Sequence, residues 1–354
     1  MNKQDIRNLS FQELADYAAG LGEKPFRAKQ IFDWLYKKCA GSFDEMVNLP
    51  QPLRQKLAED FFLLTPPIER QLVAKDQTQK FLFDLPDHEK VETVLIPSSG
   101  RSTVCVSTQA GCKFGCKFCA SGIGGWTRDL NCSEILFQIL YAKQKAEESA
   151  LHPVSHLVFM GTGEPLDNYD NVLKAIRTIN SPDGINIGAR RITVSTCGVI
   201  PQIQRLSGEG LQIELAISLH GFNDESRKVL MPVNKKYPMG ELIKAVREYI
   251  GKTNRQVTFE YILIKDFTCS TEAAEELGKM LKGMIVKMNL IPYNPVAEFD
   301  HKAPTEKDIA AFQHELKRFG IHSTVRTPRG RDVAAACGQL RHEASNTMPK
   351  AHPS

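Results

Sequence analysis

Short apolar strands alternate with helical patterns from about residue 102 to residue 325, and this alternation dominates the chain. Strands are predicted at 103–108, 156–160, 192–195, 213–219, 258–264 and 286–291, with a further candidate at 322–325. Helices are predicted between them, for example at 134–145, 172–179 and 242–249. Strands that alternate with helices form parallel βαβ units, so this α/β region is predicted to fold as a barrel or as an open doubly wound sheet.

The first 65 residues have a helical pattern instead. Ser10 and Glu13 have the spacing of a capping box, and Pro25 suits the start of a second helix. Ser42 and Glu45 repeat the capping pattern before an expected third helix. Residues 1–40 hold seven Lys/Arg and five Asp/Glu, so this basic module is either a packed accessory domain or a nucleic-acid contact.

A strand pattern begins near residue 69. Runs at 71–74, 80–83 and 91–96, separated by turn-forming residues, predict an antiparallel meander. The expected domains are a helical accessory domain at 1–65 that is a candidate for RNA binding, an antiparallel β extension at 66–98, an α/β core at 99–342 and a polar tail at 343–354.

Composition excludes several classes of protein. No apolar run approaches the ~18 residues that a membrane helix needs, and the N-terminus lacks the apolar segment of a signal peptide. We therefore expect a cytoplasmic protein with no membrane partner. The net charge of +4 permits a nucleic-acid partner without requiring one. Three of the nine cysteines fall within eight residues, a crowding that indicates metal or redox chemistry in a reducing compartment.

These three cysteines, Cys112, Cys116 and Cys119, have the spacing C-x3-C-x2-C in a loop that contains glycine. Three thiolates on such a loop can bind one inorganic centre, and a [4Fe–4S] cluster held by three protein ligands keeps one iron open for another ligand. A structural zinc site would need a fourth Cys or His, and none follows closely. The alternatives are a zinc site completed by a remote ligand, or buried structural cysteines.

The spacing, with an aromatic residue at Phe118, resembles the radical S-adenosylmethionine (SAM) superfamily. Further motifs occur in order at 105–112, 159–168, 195–198, 218–220, 230–234, 293–295 and 336–340. In order and spacing they resemble the RlmN/Cfr family of RNA adenosine methyltransferases over roughly residues 5–342. This resemblance implies a partial (β/α)6-type barrel, with Cys112, Cys116 and Cys119 binding the [4Fe–4S] cluster.

The resemblance also implies a set of SAM-binding residues: Gly163, Glu164, Ser195, Ser218, Leu219, His220 and Asn294. Without it, residues 161–164 would fit a plain β–α turn and His220 a structural histidine. It further implies that Cys337 becomes S-methylcysteine, that Cys105 is its resolving partner, joined to it by a disulfide after each turnover, and that Glu92 accepts a proton. By base rate Cys337 would be a small core residue, and Glu92 could equally face solvent. Cys39, Cys132, Cys197 and Cys269 match no family role.

The family contains enzymes that methylate C2 of adenosine in 23S rRNA and tRNA and enzymes that methylate C8 in 23S rRNA. Pro165 and residues 223–225 favour the C2 type, whereas Thr162, Cys197 and residues 221–222 depart from its commonest pattern. The implied reaction uses two SAM molecules and an electron donor such as a flavodoxin-type reductant, and we expect a monomer. The competing functions are a non-catalytic iron–sulfur RNA-binding protein and a radical SAM enzyme that acts on a small molecule.

Overall fold

The computed structural model describes residues 3–122, 125–293, 301–326, 329–330 and 333. The N-terminal unit is mainly helical. Its elements are β1 (Gln4–Asp5), α1 (Phe11–Gly20), α2 (Phe26–Phe32), α3 (Gln51–Asp60) and β2 (Phe61–Phe62), with one π-helical turn at Asp33–Lys37. The predicted capping box is confirmed, because the Ser10 hydroxyl accepts from Glu13 N (3.2 Å) and Glu13 accepts from Ser10 N (2.6 Å).

The prediction that a third helix begins after Ser42 is wrong, since α3 begins at Gln51. The Glu45 carboxylate instead accepts from Gly41 N (3.4 Å) and from the Ser42 hydroxyl (3.2 Å), which closes a turn. A helix continuing from Ser42 would take Pro50 into its interior, where proline removes a hydrogen bond and clashes with the preceding turn.

The antiparallel extension has strands β3 (Ile68–Val73), β4 (Gln79–Asp84) and β5 (Lys90–Ser98), and β5 pairs antiparallel with β6 (Arg101–Cys105). A separate two-stranded sheet, β7 (Gln109–Gly111) and β8 (Trp126–Asp129), follows. The antiparallel meander predicted from the three runs at 71–74, 80–83 and 91–96 is confirmed as β3, β4 and β5.

The core region alternates helices with strands that pair in parallel in chain order, beginning at β6. Its helices are α4 (Cys132–Glu148), α5 (Tyr169–Asn180), α6 (Ile200–Leu206), α7 (Asp224–Leu230), α8 (Met239–Thr253), α9 (Thr271–Leu281) and α10 (Glu306–Arg318). Its strands are β9 (Val154–Phe159), β10 (Ile192–Thr196), β11 (Glu214–Ser218), β12 (Val257–Leu263), β13 (Val286–Pro292) and β14 (His322–Val325). The predicted α/β fold is confirmed, including the candidate seventh strand.

One large apolar core joins the N-terminal unit to the core region. Polar contacts add to it: Asn8 accepts from Ser133 N at the start of α4 (2.9 Å), and Lys174 on α5 pairs with Glu13 (2.7 Å). None of the helices in the described part of the chain is both long enough and apolar enough to cross a lipid bilayer.

Candidate metal and cofactor site

The three clustered cysteines lie in the connection that follows β7. This connection folds back closely, because Cys112 N donates to Gly125 O (2.7 Å), just before β8. Gly111 at its start has φ +77°, and a Cβ there would lie 2.0 Å from Gly125 O. Only glycine fits this position without moving the backbone, so the sequence pattern Gly-Cys follows from the geometry of the loop.

The thiols of Cys112, Cys116 and Cys119 are partly buried and close enough to perturb one another. Burial raises the pKa of Cys112 to about 12 and also raises the pKa of Cys116. Thiolates at these positions therefore need a positive centre to stabilise them. Among the described residues no group of three His, Cys, Asp or Glu is set closely enough to hold a single metal ion. An iron–sulfur cluster bonds each thiolate to a different iron, so three loop thiolates fit such a cluster.

A cavity of about 180 Å³ adjoins these thiols. One water needs only about 10–15 Å³ on this measure, so the space is large enough for a small molecule. Its lining comes from the loop and from the C-terminal ends of parallel strands, where β/α folds place their ligand sites. It includes Cys112, Cys116, Cys119, Phe118, Met160, Gly163, Glu164, Ser195, Cys197, Ser218, His220, Glu260, Ile262, Ile291 and Arg326.

Glu164 is buried at the edge of this cavity with both carboxylate oxygens engaged. Oε1 accepts from Leu166 N (3.0 Å), and Oε2 accepts from Cys197 N (2.7 Å). Burial nevertheless raises the pKa of Glu164. Its own backbone N donates to Gln109 Oε1 (2.8 Å), and a Cβ on Gly163 would lie 2.6 Å from Gln109 Cβ. The carboxylate is therefore held rigidly where the strand ends.

His220 is buried and has φ +52°, a left-handed conformation that is uncommon for a residue other than glycine. Its Nδ1 accepts from Ile262 N (3.1 Å), which leaves the proton of the neutral ring on Nε2. The ring packs edge-on against Phe118, with 4.6 Å between centroids. Burial lowers the pKa of His220 to about 3, so the imidazole is neutral at physiological pH.

Arg227 on α7 is fully buried behind the strand ends. Its guanidinium donates to Leu219 O (3.0 Å), Cys197 O (2.6 Å) and Asn234 Oδ1 (2.7 Å). Among the described residues no carboxylate lies within ion-pair distance of it, and burial lowers its pKa. Arg227 thus ties the loop after β10 to the loop after β11, and both loops carry cavity residues.

Cys105 and Glu92 do not line this cavity. Both belong to the neighbouring part of the sheet, where Val94 on β5 pairs in register with Cys105 on β6. Cys105 packs with Val94, and partly buried Met160 and Val333 contact this pair. Glu92 is buried rather than solvent-facing, and its Oε1 lies 3.0 Å from Lys80 Nζ.

The structure thus places most of the residues implied by the resemblance around one cavity. Leu219 is fully buried, and its carbonyl accepts from Arg227, but it does not line the cavity. Asn294 and Cys337 lie outside the described residues. Sequence reasoning missed Glu260 and Arg227; an acidic residue in the apolar run of β12 was a signal for Glu260, whereas nothing in the pattern of α7 distinguished Arg227.

Two family models match parts of the chain. The family model "Ribosomal RNA large subunit methyltransferase N-terminal domain" matches residues 4–63, and the Radical SAM superfamily model matches residues 106–277. The chain is similar to a "Probable dual-specificity RNA methyltransferase RlmN" from Clostridium novyi (strain NT), with 45% identity over 96% of this chain and 98% of the relative.

A protein of the same description from Geobacillus kaustophilus (strain HTA426) is 47% identical over 95% of this chain and 92% of its own length. Among solved structures, a radical SAM methyltransferase from Sphaerobacter thermophilus matches with a TM-score of 0.91 and 43% identity. That match covers 96% of this chain and 99% of the other.

Proposed function

The chain belongs to the RlmN family of radical SAM RNA methyltransferases, and from that premise we propose that it methylates C2 of adenosine in 23S rRNA and tRNA. The observation that carries the proposal is the shared cavity. The thiols of Cys112, Cys116 and Cys119 adjoin the same space as Glu164, Ser195, Ser218 and His220, at the C-terminal ends of parallel strands.

We assign Cys112, Cys116 and Cys119 to the [4Fe–4S] cluster, and Gly163, Glu164, Ser195, Ser218, Leu219, His220 and Asn294 to SAM. Held by these three cysteines, a reduced cluster would supply one electron for the cleavage of SAM, which would provide a radical able to remove hydrogen from an unactivated methyl group. Such chemistry is needed because C2 of adenine is not nucleophilic and cannot take a methyl group from SAM by direct displacement.

Cys337 is the proposed methyl carrier. Its thiolate takes the methyl group of a first SAM by displacement, which releases S-adenosylhomocysteine, and only the thiolate is an adequate nucleophile for this step. The methyl carbon loses one hydrogen atom to the radical derived from a second SAM and then bonds to C2. The adduct must also lose one electron, for which the oxidised cluster would be the acceptor. Glu92 then accepts the ring proton. The Cys105 thiolate attacks the sulfur of Cys337 and breaks its bond to the methyl carbon, and that carbon takes up a proton, so the methylated base is released and a disulfide is left.

The placement of Val333 supports this assignment. Val333 packs against the Cys105–Val94 pair, and Gly330 N donates to Asp76 (3.2 Å). In the sequence Cys337 follows Val333 by four positions, a span of at most about 14 Å. This short span is compatible with a Cys337 thiol that meets Cys105, although 232 positions separate the two cysteines in sequence. Glu92 lies two residues from Val94 along β5, so the side chains of Glu92 and Val94 point to the same face of the sheet.

RNA is bound mainly through its phosphates in this proposal. Lys113 and Lys117 are exposed beside the cluster loop, and the neighbouring Trp126 is also exposed. The target base leaves its stack to reach a buried site. We further propose that the N-terminal unit contributes to RNA binding, that the enzyme works in the cytoplasm as a monomer, and that a flavodoxin-type protein reduces the cluster.

The assignment of the three cysteines is tested with anaerobically reconstituted Cys112→Ala, Cys116→Ala and Cys119→Ala. Each variant should lose iron and should form no 5′-deoxyadenosine from SAM, while its circular dichroism stays that of the wild type. Cys269→Ala, a buried cysteine between β12 and α9, is the matched control and should keep both properties. Variants of the loop that still cleave SAM would overturn the assignment.

The roles of Cys105 and Cys337 are tested by trapping. The Cys105→Ala variant should still form the bond from Cys337 through the methyl carbon to the RNA, but it should not break that bond. A denaturing gel should therefore show a nuclease-sensitive protein–RNA band. The double variant Cys105→Ala/Cys337→Ala should show no such band. Normal turnover by Cys105→Ala would mean that another group resolves the adduct.

A further inference from the structure

Glu260 is a buried carboxylate that the proposed reaction does not use. It is 4% exposed, lies on β12 and lines the cavity. The registers of the parallel strands place four polar residues side by side across β11, β12, β13 and β14. In order they are Ser218, Glu260, Asn289 and Thr324. A continuous polar row in the interior of a barrel is unusual, since such interiors are mainly filled by apolar side chains.

Hydrogen bonds fix one end of the Glu260 carboxylate. Its Oε1 accepts from Asn289 Nδ2 (2.9 Å), and Asn289 Oδ1 accepts in turn from the Thr324 hydroxyl (2.7 Å). Thr324 thereby sets the orientation of the amide, and the amide sets the orientation of the carboxylate. Three strands therefore hold Glu260 in place before any ligand arrives.

The second oxygen of Glu260 has no such partner. Among the described residues no group donates a hydrogen bond to the buried Oε2. Arg326 Nη1 lies 3.9 Å from it, which is within ion-pair range but beyond hydrogen-bond length. Buried polar atoms in native proteins nearly always have a partner, and exceptions need an explanation. An oriented acceptor in a cavity wall is explained by a ligand that brings the donor.

The residues around Glu260 indicate which part of the ligand donates the hydrogen bond to Oε2. Ile262 and Ile291, which pair in register on β12 and β13, line the cavity two residues beyond Glu260 and Asn289 towards the strand ends. That apolar stretch suits a flat base. The polar row just below it suits a sugar, because a carboxylate is the common acceptor for the hydroxyls of a bound ribose.

On the basis of the proposed function, we infer that Glu260 binds the ribose hydroxyls of SAM through Oε2 and is a specificity-determining residue for the nucleoside. Ser218, its neighbour in the row, lies against the same part of the ligand. Asn289 and Thr324 are positioning residues that act through Glu260.

The test is a double-mutant cycle in which the protein change is Glu260→Gln and the ligand change is removal of the 2′- or the 3′-hydroxyl of SAM. The affinity of the reconstituted holoenzyme for SAM and for each analogue is measured by calorimetry. Glu260→Gln should bind SAM about 10- to 100-fold more weakly than the wild type, the usual loss for a hydrogen bond to a charged group. The wild type should lose a similar factor when one hydroxyl is removed from SAM. In Glu260→Gln the same removal should cost less than threefold, because both changes delete one interaction.

Glu315→Gln is the matched control, since Glu315 is also buried but lies on α10 and pairs with Arg318 outside the cavity. It should bind SAM as the wild type does. Thr324→Val, which frees Asn289, provides a second and milder variant and should weaken SAM binding by a smaller factor. The inference would be overturned if the loss of affinity from Glu260→Gln and the loss from removing a hydroxyl simply multiplied, for the 2′- and for the 3′-hydroxyl alike. It would also be overturned if Glu260→Gln bound SAM as the wild type does but bound RNA more weakly. A wild-type holoenzyme that does not bind SAM would instead overturn the proposed function.

Discussion

Replacing Arg227 by methionine should destabilise the protein strongly, because the guanidinium is fully buried and holds two strand-end loops together. Its three shortest hydrogen bonds, to Leu219 O, Cys197 O and Asn234 Oδ1, are 2.6–3.0 Å long. At about 2 kcal/mol for each bond to a charged donor, their loss costs roughly 6 kcal/mol. Removing the desolvation cost of a buried charge returns about a third of this, so the free energy of unfolding should fall by roughly 4 kcal/mol.

The measurement is urea unfolding of Arg227→Met and of two comparison variants, followed by circular dichroism. Arg205→Met removes a half-exposed arginine that pairs with Asp170 on the surface and should cost less than about 1 kcal/mol. Arg227→Lys keeps the charge but not the planar fork of donors, so its loss should lie between the other two. An Arg227→Met variant within about 1 kcal/mol of the wild type would refute the view that Arg227 holds these loops.

Three further changes test other parts of the site. Gly163→Ala should weaken SAM binding at least about tenfold, since φ there is +107° and the new Cβ would lie 2.6 Å from Gln109 Cβ; unchanged affinity by calorimetry would speak against a rigid contact. Lys80→Met should lower the free energy of unfolding by about 3 kcal/mol because it leaves the Glu92 carboxylate buried without its 3.0 Å ion pair, and adding Glu92→Gln should recover most of that loss. Burial lowers the pKa of His220 to about 3 from an ordinary 6.5, so the unfolded chain takes up the proton first and stability falls with decreasing pH. Between pH 6.5 and pH 5 the wild type should lose about 2 kcal/mol more than His220→Gln, and equal losses would contradict a buried neutral imidazole.

The alternation of strands and helices in the core could be predicted from the sequence because its signals are local, whereas the choice of a barrel over an open sheet came from the family resemblance. Most strands of the core are short apolar runs, and several helices between them repeat apolar residues at helical spacing, so the order of these elements follows without knowledge of contacts. The capping box at Ser10 was correct for the same reason. The similar pattern at Ser42 failed because the prolines that follow exclude a helix there, and a proline several residues away outweighs a favourable cap.

The site was only partly predictable. The three loop cysteines are adjacent in sequence, and ordered motifs marked most of the cavity residues. Glu260 and Arg227 owe their importance to partners that are distant in sequence: Asn289 is 29 positions from Glu260, and Cys197 is 30 positions from Arg227. The contact between Glu260 and Asn289 depends on the register of two parallel strands, and the contact between Arg227 and Cys197 depends on where a helix meets a strand-end loop. The burial of Glu92 likewise depends on Lys80, which reaches it across the β4–β5 pair.

The central claim is that the methyl group travels through a cysteine and loses one hydrogen on the way to C2. It is tested most directly with SAM that carries a fully deuterated methyl group, incubated with the reconstituted enzyme and unmodified 23S rRNA, followed by mass spectrometry of the released nucleosides. Our account predicts 2-methyladenosine that contains two deuterons, since one is removed before transfer and is replaced by a proton. A methyl group that keeps all three deuterons would contradict it, and 8-methyladenosine as the product would contradict the assignment to C2.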